Sequence, residues 1–183
     1  MAGRPVNHAR RAEMLDAVVD YTIEYGFSDL SWRPVAAALG VSTTSLVHRF
    51  GSKEQMLQEI LGRLRERIFA AVGHRNGLRA DVAAVWETVS DPRRGGEFRL
   101  FFAVYGHALQ APEQFADFLD HVVTDWMNNL REAQGPDTDR VTATRTATLV
   151  IATIRGLLLD LLATGDRRRV HDAAEAFLAT LPA

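Results

Sequence analysis

Cysteine is absent from all 183 residues of the chain, which excludes several kinds of site. Without thiols the protein cannot form a disulfide scaffold, a thiolate zinc site, an iron–sulfur cluster or a cysteine nucleophile. Glycine and proline are also sparse, with 13 and 6 residues, which is typical of a globular rather than a disordered chain. A chain without cysteine suits a reducing compartment, so we expect a cytoplasmic location.

Long uninterrupted hydrophobic runs are missing as well. Asp160 interrupts the apolar stretch of residues 157–163, and no apolar run in the sequence approaches the length of a membrane span. The N-terminus has arginines but no apolar stretch before a cleavage site, so we expect no secretory signal. We therefore predict a protein without a membrane partner.

The chain carries little net charge, and its basic residues are almost all arginine. Twenty-one basic and 23 acidic residues give a formal charge of -2, which argues against a histone-like or polybasic binder. Lys53 is the only lysine. Residues 1–12 contain Arg4, Arg10 and Arg11 and no acid before residue 13, so the N-terminal end is locally positive.

Apolar residues recur with helical spacing throughout the chain, and no alternating strand pattern is evident. The first helix ends at Gly26. Ser31 and Ser42 each begin a short helix, and Ser52 with Gln55 forms a capping box that opens a long fourth helix. We predict an all-α fold of about nine helices. The later helices are expected near residues 78–90, 96–110, 113–133, 138–164 and 170–180.

Residues 31–50 have the pattern of a helix-turn-helix, in which the second helix enters the DNA major groove. Gly40 permits the tight turn, and the alanines at 36–38 let the two helices approach closely. This pattern alone is weak evidence, because many structural helix pairs share it.

A longer pattern is more specific. It resembles the N-terminal DNA-binding domain of TetR-family transcriptional regulators over about residues 8–60. The resemblance implies a three-helix DNA-binding domain at residues 1–51, joined through the long fourth helix to a helical ligand-binding and dimerisation domain at 52–183. The residues that carry it are Gly26-Phe27, Ser31, Val35-Ala36, Leu39-Gly40-Val41-Ser42, Leu46, Phe50, Ser52-Lys53-Glu54 and Leu57.

The end of the second short helix departs from the family pattern. Where the family usually has Leu-Tyr-Tyr-His-Phe, this chain has residues 46–50 as Leu-Val-His-Arg-Phe, so both tyrosines are replaced. We therefore expect His48 and Arg49 to supply the backbone contacts that tyrosine hydroxyls would make.

The predicted DNA contacts divide into base-reading and phosphate-binding side chains. An arginine arm at the N-terminus could also enter a minor groove, although an ordinary terminus explains it equally well. The base-reading candidates are Arg33, Thr43, Thr44 and Val47, and the phosphate candidates are Ser31, Ser45, His48, Arg49 and Lys53.

The helix predicted at 138–164 has two apolar faces, which implies two packing partners. Residues Val150, Ile154, Leu157 and Leu161 form the face expected in the core of the domain. The second face has smaller residues and, with the last helix, is expected to meet a second copy of the chain, unless the helix is buried within one chain. Its residues are Ala152, Gly156, Leu159, Ala163, Ala173, Ala176, Phe177 and Thr180.

A small-molecule pocket is the expected function of the C-terminal half. Arg155 in an apolar setting needs a partner, which is either a ligand carboxylate or an internal acid such as Glu87. The candidate pocket residues are Trp86, Phe102, Tyr105, Phe118, Trp126, Thr148 and Arg155. We expect no cofactor and no metal, because the only ligand-like spacing, Asp117, His121 and Asp125, lacks a second motif.

These patterns predict a homodimeric regulator that binds a double-stranded DNA operator and is released from it by a small-molecule effector. Two alternatives remain open. One is a regulator without an effector, and the other is an interaction module or enzyme in which the helix pair is only structural.

Overall fold

The computed structural model describes residues 5–27, 30–71 and 77–182, and these ranges contain nine α-helices and no strand. The predicted all-α fold is confirmed. A short 3₁₀ turn at Pro92–Arg94 precedes the sixth helix. The helices are α1 (Pro5–Tyr25), α2 (Trp32–Leu39), α3 (Thr43–Phe50), α4 (Lys53–Ala71), α5 (Leu78–Val89), α6 (Gly95–Gln110), α7 (Ala116–Glu132), α8 (Arg140–Thr164) and α9 (Arg167–Ala179).

Two helices begin three residues away from the predicted start. Helix α7 starts at Ala116 instead of 113, because the segment after Pro112 forms tight turns in which Phe115 N–H bonds to the Pro112 carbonyl. Helix α9 starts three residues early, at Arg167, because Asp166 caps it by accepting from the Arg169 amide at 3.2 Å.

The chain divides into two compact units. Unit 1 comprises residues 1–67 and 96–118, and within it α2 packs against both α1 and α3. These short helices bury few side chains each, so the unit depends on a shared apolar core. Fully buried members of that core are Val18, Val19, Leu30, Val35, Leu46, Met56, Ile60, Leu64 and Phe115.

One polar row on α4 ties this helix to α1. The row consists of Glu59, Arg63 and Arg67, which lie on one face because they are four residues apart. Arg63 donates to both carboxylate oxygens of Asp16 at 2.7 and 2.8 Å. Arg67 bridges Asp16 and Asp20, with both distances 2.7 Å. The Arg63 guanidinium holds the pKa of Asp16 at about 2, well below its usual range.

Unit 2 comprises residues 68–95 and 119–183, and within it α5 packs against α8 and α9. Arg169 closes the turn between α8 and α9 by donating to both oxygens of Asp160 at 2.7 and 2.8 Å. Arg167 donates to the Ser90 carbonyl at 2.9 Å and so joins α9 to the end of α5. The buried core includes Val82, Val85, Trp86, Val150, Ile154, Leu158, Leu161, Val170 and Ala174.

The predicted domain boundary between residues 51 and 52 lies inside unit 1. Residues 53–67 of α4 belong to that unit, where the polar row joins them to α1. The division of the chain into domains 1–51 and 52–183 stays a prediction.

The ion pairs of Asp16 predict an acid-sensitive contribution to stability. A carboxylate whose pKa is lowered by folding stabilises the fold above its unfolded pKa, and this contribution is lost as the pH falls through the folded pKa. Asp16→Asn should therefore lower the free energy of unfolding by about 1 kcal/mol at neutral pH. The difference from wild type should shrink between about pH 4 and pH 2, as measured by urea unfolding.

Asp20→Asn is the matched control, because Asp20 is largely exposed and pairs only with Arg67 among the described contacts. It should change the free energy of unfolding by less than about 0.5 kcal/mol. A difference between wild type and Asp16→Asn that stays constant from pH 7 to pH 2 would show that the carboxylate charge is unimportant.

Candidate DNA-binding site

The turn between α2 and α3 has the geometry of a helix-turn-helix. Gly40 takes the left-handed conformation with φ 65°, which costs glycine little. The Val41 N–H donates to the Ala36 carbonyl at 3.0 Å, and this bond ends α2 in a Schellman motif. The Ser42 hydroxyl then accepts from the Ser45 amide at 3.0 Å and starts α3. Both ends of the turn are therefore fixed by local hydrogen bonds.

Burial of one face of each helix leaves the opposite face exposed. Val35 and Ala36 are the buried residues of α2, and Leu46 and Phe50 are those of α3. The outer face of α3 carries Thr43, Thr44, Val47 and His48, all of them exposed. Val47 is 42% exposed, so its methyl groups are available for contact.

Arg33 and Ser31 flank this outer face at the start of α2. Both are exposed, and Ser31 occupies the N-cap position without its side chain accepting a helix amide. The Ser31 hydroxyl is thus not used to cap α2. The Ser45 side chain, in contrast, bonds to the Ser42 hydroxyl at 2.8 Å, so its oxygen already has a partner within the chain.

Lys53 is the first residue of α4 and is exposed. The predicted capping box is present, because Ser52 N–H donates to Gln55 Oε1 at 3.0 Å and Gln55 N–H donates to Ser52 Oγ at 3.1 Å. A lysine at a helix N-terminus is unfavourable beside the positive end of the helix dipole. A bound phosphate would remove this conflict, because both the lysine and the dipole attract an anion.

Arg49 pairs with an acid of its own chain. Its Nη1 and Nη2 donate to Glu59 Oε1 and Oε2 at 3.1 and 2.8 Å, its side chain is only 13% exposed, and its guanidinium lies 4.4 Å from the centre of the Phe50 ring. This partner was not expected, and the phosphate contact of Arg49 stays a prediction. Glu59 was missed, although its four-residue spacing from Arg63 was a visible signal.

The N-terminal segment with the arginines is helical from residue 5 onward. Arg10 and Arg11 lie on α1, and Arg11 approaches Glu59 with a 3.6 Å ion pair. Arg4 lies outside the described residues. Neither of the two interpretations left open, an arginine arm or an ordinary terminus, describes the helical residues 5–12.

The residues predicted for self-association lie on the outside of unit 2. Seven of the eight are exposed and Phe177 is half-buried. Leu149 and Leu159 on α8 are 64% and 51% exposed. Residues 149, 152, 156, 159 and 163 alternate steps of three and four, which is the heptad spacing of a coiled-coil seam. The inner face of α8 contains Leu158 as a buried residue where Leu157 was predicted.

Helix α8 also has the length and hydropathy of a membrane span. It has 25 residues with a mean hydropathy of 1.7 in its most apolar window, of which 33% is buried. Uninterrupted apolar runs do not reveal this property, because polar residues divide the helix. The exposed apolar residues form one narrow seam rather than the whole circumference, unlike a helix surrounded by lipid.

Three of the predicted pocket residues lie in unit 1, and two of them are in contact. Tyr105 and Phe118 meet edge to face with ring centroids 5.9 Å apart. Phe101, which was assigned to the core only, lies 5.3 Å from Phe102 and 5.7 Å from Tyr105. These rings therefore form one half-buried aromatic cluster.

The other four predicted pocket residues lie in unit 2. Arg155 is half-buried and donates to the backbone carbonyl of Val122, a partner that was not among the expected ones. Thr148 is exposed, and its hydroxyl donates to the Thr144 carbonyl at 2.8 Å. Trp126 is half-buried. Trp86 is 4% exposed, and its indole Nε1 has no acceptor among the described residues.

Metal binding receives no support from the described part of the chain. Within residues 5–27, 30–71 and 77–182, no group of three or more histidine, aspartate or glutamate side chains is arranged to hold a metal ion.

Comparison with known proteins connects this geometry to a family. Residues 14–60 match the sequence model of bacterial regulatory proteins of the tetR family. The HTH-type transcriptional repressor KstR2 of Rhodococcus jostii (strain RHA1) is 34% identical over 88 residues, which cover 44% of this chain and 43% of that protein. The match thus spans less than half the length of this relative.

Solved structures extend the similarity of fold to nearly the whole chain. A transcriptional regulator from Rhodococcus sp. Rha1 superimposes with a TM-score of 0.79 and 21% identity, covering 93% of this chain and 95% of that one. The multidrug binding protein EbrR, solved with imidazole, gives a TM-score of 0.67 with 23% identity and covers 96% and 91% of the two chains.

The family match falls on the segment that contains α2, the Gly40 turn, α3 and the Ser52 capping box. Over this segment the chain is similar to bacterial regulatory proteins of the tetR family, and its described helices share the fold of the solved structures.

Proposed function

We propose that this protein is a dimeric repressor that binds an operator in double-stranded DNA and leaves it when a small molecule binds. The observation that carries the proposal is the exposed outer face of α3, which has no packing role in its own unit. The repressor KstR2, which is similar over 88 residues, supports repression as the direction of control. A cytoplasmic location is part of this proposal, because a repressor must reach DNA.

Base reading is assigned to the outer face of α3 and the start of α2. Thr43, Thr44 and Val47 offer methyl groups that suit the thymine methyl in the major groove. Arg33 is exposed and long enough to approach a guanine edge, where arginine makes bidentate contacts. These four residues supply sequence preference.

Phosphate binding is assigned to residues that border this face. Lys53 and the first amides of α4 converge on one anion, and Ser31 has a hydroxyl not used in capping. His48 is exposed beside Val47 and donates to a second phosphate. Ser45 contributes through the hydroxyl pair that it forms with Ser42.

Self-association is assigned to the exposed seam of α8 and the outer face of α9. Exposed leucines at heptad spacing cost free energy in water, and a symmetric partner would bury them. A dimer also presents two copies of α3 to two half-sites, which matches the two-fold symmetry of an operator.

An effector is assigned to the C-terminal half, with Trp86 and Arg155 as polar groups in an apolar setting. A buried indole N–H without an acceptor costs about 1–3 kcal/mol, and a ligand oxygen would satisfy it. The fold-level similarity to EbrR, a multidrug binding protein solved with imidazole, supports a small-molecule site. Trp126 and Thr148, which also lie in unit 2, are proposed as further contributors. Phe102, Tyr105 and Phe118 of unit 1 stay separate candidates for ligand contact.

The first test concerns DNA contacts and uses an operator selected by wild-type protein from a random duplex library. Lys53→Ala should weaken binding to every sequence and lower the slope of log K against log salt by about one. Arg33→Ala should relax the preference at one base pair and cost about 1–3 kcal/mol on the selected operator. Fluorescence anisotropy at several salt concentrations measures both effects.

Arg99→Ala is the matched control, because Arg99 is exposed on α6 and removes the same charge from outside the motif. It should leave the affinity and the salt slope near those of wild type. A uniform loss for Arg33→Ala with unchanged base preference would remove its base-reading role.

The second test concerns assembly. An added Cβ at Gly156 has no heavy atom within 4 Å, so Gly156→Arg fits the isolated chain and improves its helix propensity. In a two-fold seam the same change places two guanidinium groups against apolar surface. Sedimentation should show wild-type dimers and Gly156→Arg monomers at about 10 µM, with equal helix content by circular dichroism.

Ala103→Arg, a small exposed residue of α6, should stay dimeric under the same conditions. Wild-type protein that sediments as a monomer at this concentration would contradict the dimer.

The third test concerns the effector and begins with a thermal-shift screen of small metabolites against wild-type protein. For a compound that raises the melting temperature, Trp86→Phe should weaken binding about tenfold, because it deletes one hydrogen-bond donor and keeps the aromatic ring. Affinity of the unliganded protein for the operator should not change. Unchanged compound affinity in calorimetry would exclude the indole N–H as a ligand contact.

A further inference from the structure

We propose that Glu59 is a positioning residue: by pairing with Arg49 it fixes the orientation of α3 on α4 and thereby sets how strongly the protein distinguishes operator from other DNA. This inference rests on the proposed DNA-binding function. It assigns a role to an acidic side chain that has no part in contacting DNA.

The Arg49–Glu59 contact restrains orientation as well as distance. Two parallel hydrogen bonds of 3.1 and 2.8 Å connect the Arg49 guanidinium to the Glu59 carboxylate. Such a bidentate pair restrains both distance and angle, unlike a single point contact. The Phe50 ring, 4.4 Å from the guanidinium carbon, packs against its face. Arg49 is thereby held in one position on the last turn of α3.

Helix α3 needs such a restraint because it is short. It has eight residues, and its fully buried contacts are Leu46 and Phe50. An isolated helix of this length is unstable in water, and apolar contacts restrain position but not rotation. The first turn is fixed by Ser42 and the Gly40 turn, whereas the last turn is fixed by Arg49.

The direction of Arg49 separates it from the DNA-reading face. At about 100° per residue, Arg49 projects about 200° from Val47 and about 140° from Thr44 around the helix axis. This side of α3 faces Glu59 on α4, away from the base-reading residues. Rotation of α3 about its axis would therefore move every base-reading residue at once.

Glu59 is also the end of the polar row that joins α4 to α1. Arg11 on α1 approaches Glu59 at 3.6 Å, and one turn further along α4 Arg63 pairs with Asp16. The same row thus fixes α4 to α1 and α3 to α4. A displacement of α4 would be transmitted to the recognition helix through Glu59.

The experiment compares the affinity for a selected operator with that for a random duplex, at one salt concentration and 25 °C. Glu59→Gln and Arg49→Met should each lower the ratio of the two affinities about tenfold, which corresponds to one lost base contact. The double variant Arg49→Met/Glu59→Gln should lower this ratio no further than either single change does, because all three variants remove the same ion pair. The swapped pair Arg49→Glu/Glu59→Arg should restore most of the ratio.

Glu66→Gln is the matched control. Glu66 lies on α4, is 64% exposed and pairs with Arg63, so the change removes the same charge without touching α3. It should leave the affinity ratio within about twofold of wild type. Melting temperatures of all variants show that the binding assays measure folded protein.

Two results would overturn the inference. If Glu59→Gln binds both DNAs more tightly with a salt slope steeper by about one, Glu59 screens Arg49 from phosphate instead of positioning it. If only the melting temperature falls and the affinity ratio is unchanged, the pair serves stability alone. A wild-type protein that enriches no sequence would refute the proposed function itself, which is a different outcome from either.

Discussion

The proposed reading of DNA depends on how the eight-residue helix α3 is held in place. Helix α3 has too few residues to be stable alone, so its conformation and its orientation come from its neighbours. Leu46 and Phe50 bury one face, the Ser42 cap fixes the first turn and the Arg49–Glu59 pair fixes the last. The opposite face is left exposed, and that exposure makes base reading possible.

A similar division between an inner and an outer face explains the apolar composition of α8. Val150, Ile154, Leu158 and Leu161 are buried inside unit 2, while the seam of residues 149, 152, 156, 159 and 163 stays exposed. The high hydropathy of this helix comes from being apolar on both faces. Self-association accounts for the outer face without invoking a membrane, and it also gives the symmetry that operator recognition needs.

Local chemistry made most of the fold predictable. Caps at Ser42 and Ser52, the glycine at the α2–α3 turn and helical periodicity placed the helices to within a few residues. The pairing of Arg49 with Glu59 was not predicted, because Glu59 lies ten residues away on another helix and periodicity reports only which side of a helix is apolar. Arg155 likewise bonds to a backbone carbonyl, a partner that residue type does not reveal.

Hydroxyl-radical footprinting of genomic fragments bound by the purified protein tests whether two copies of the α2–α3 motif read DNA together. We expect two protected half-sites of related, inverted sequence whose centres lie about one helical turn apart on one side of the duplex. Protection without a common sequence, or a single half-site without a symmetric mate, would contradict it.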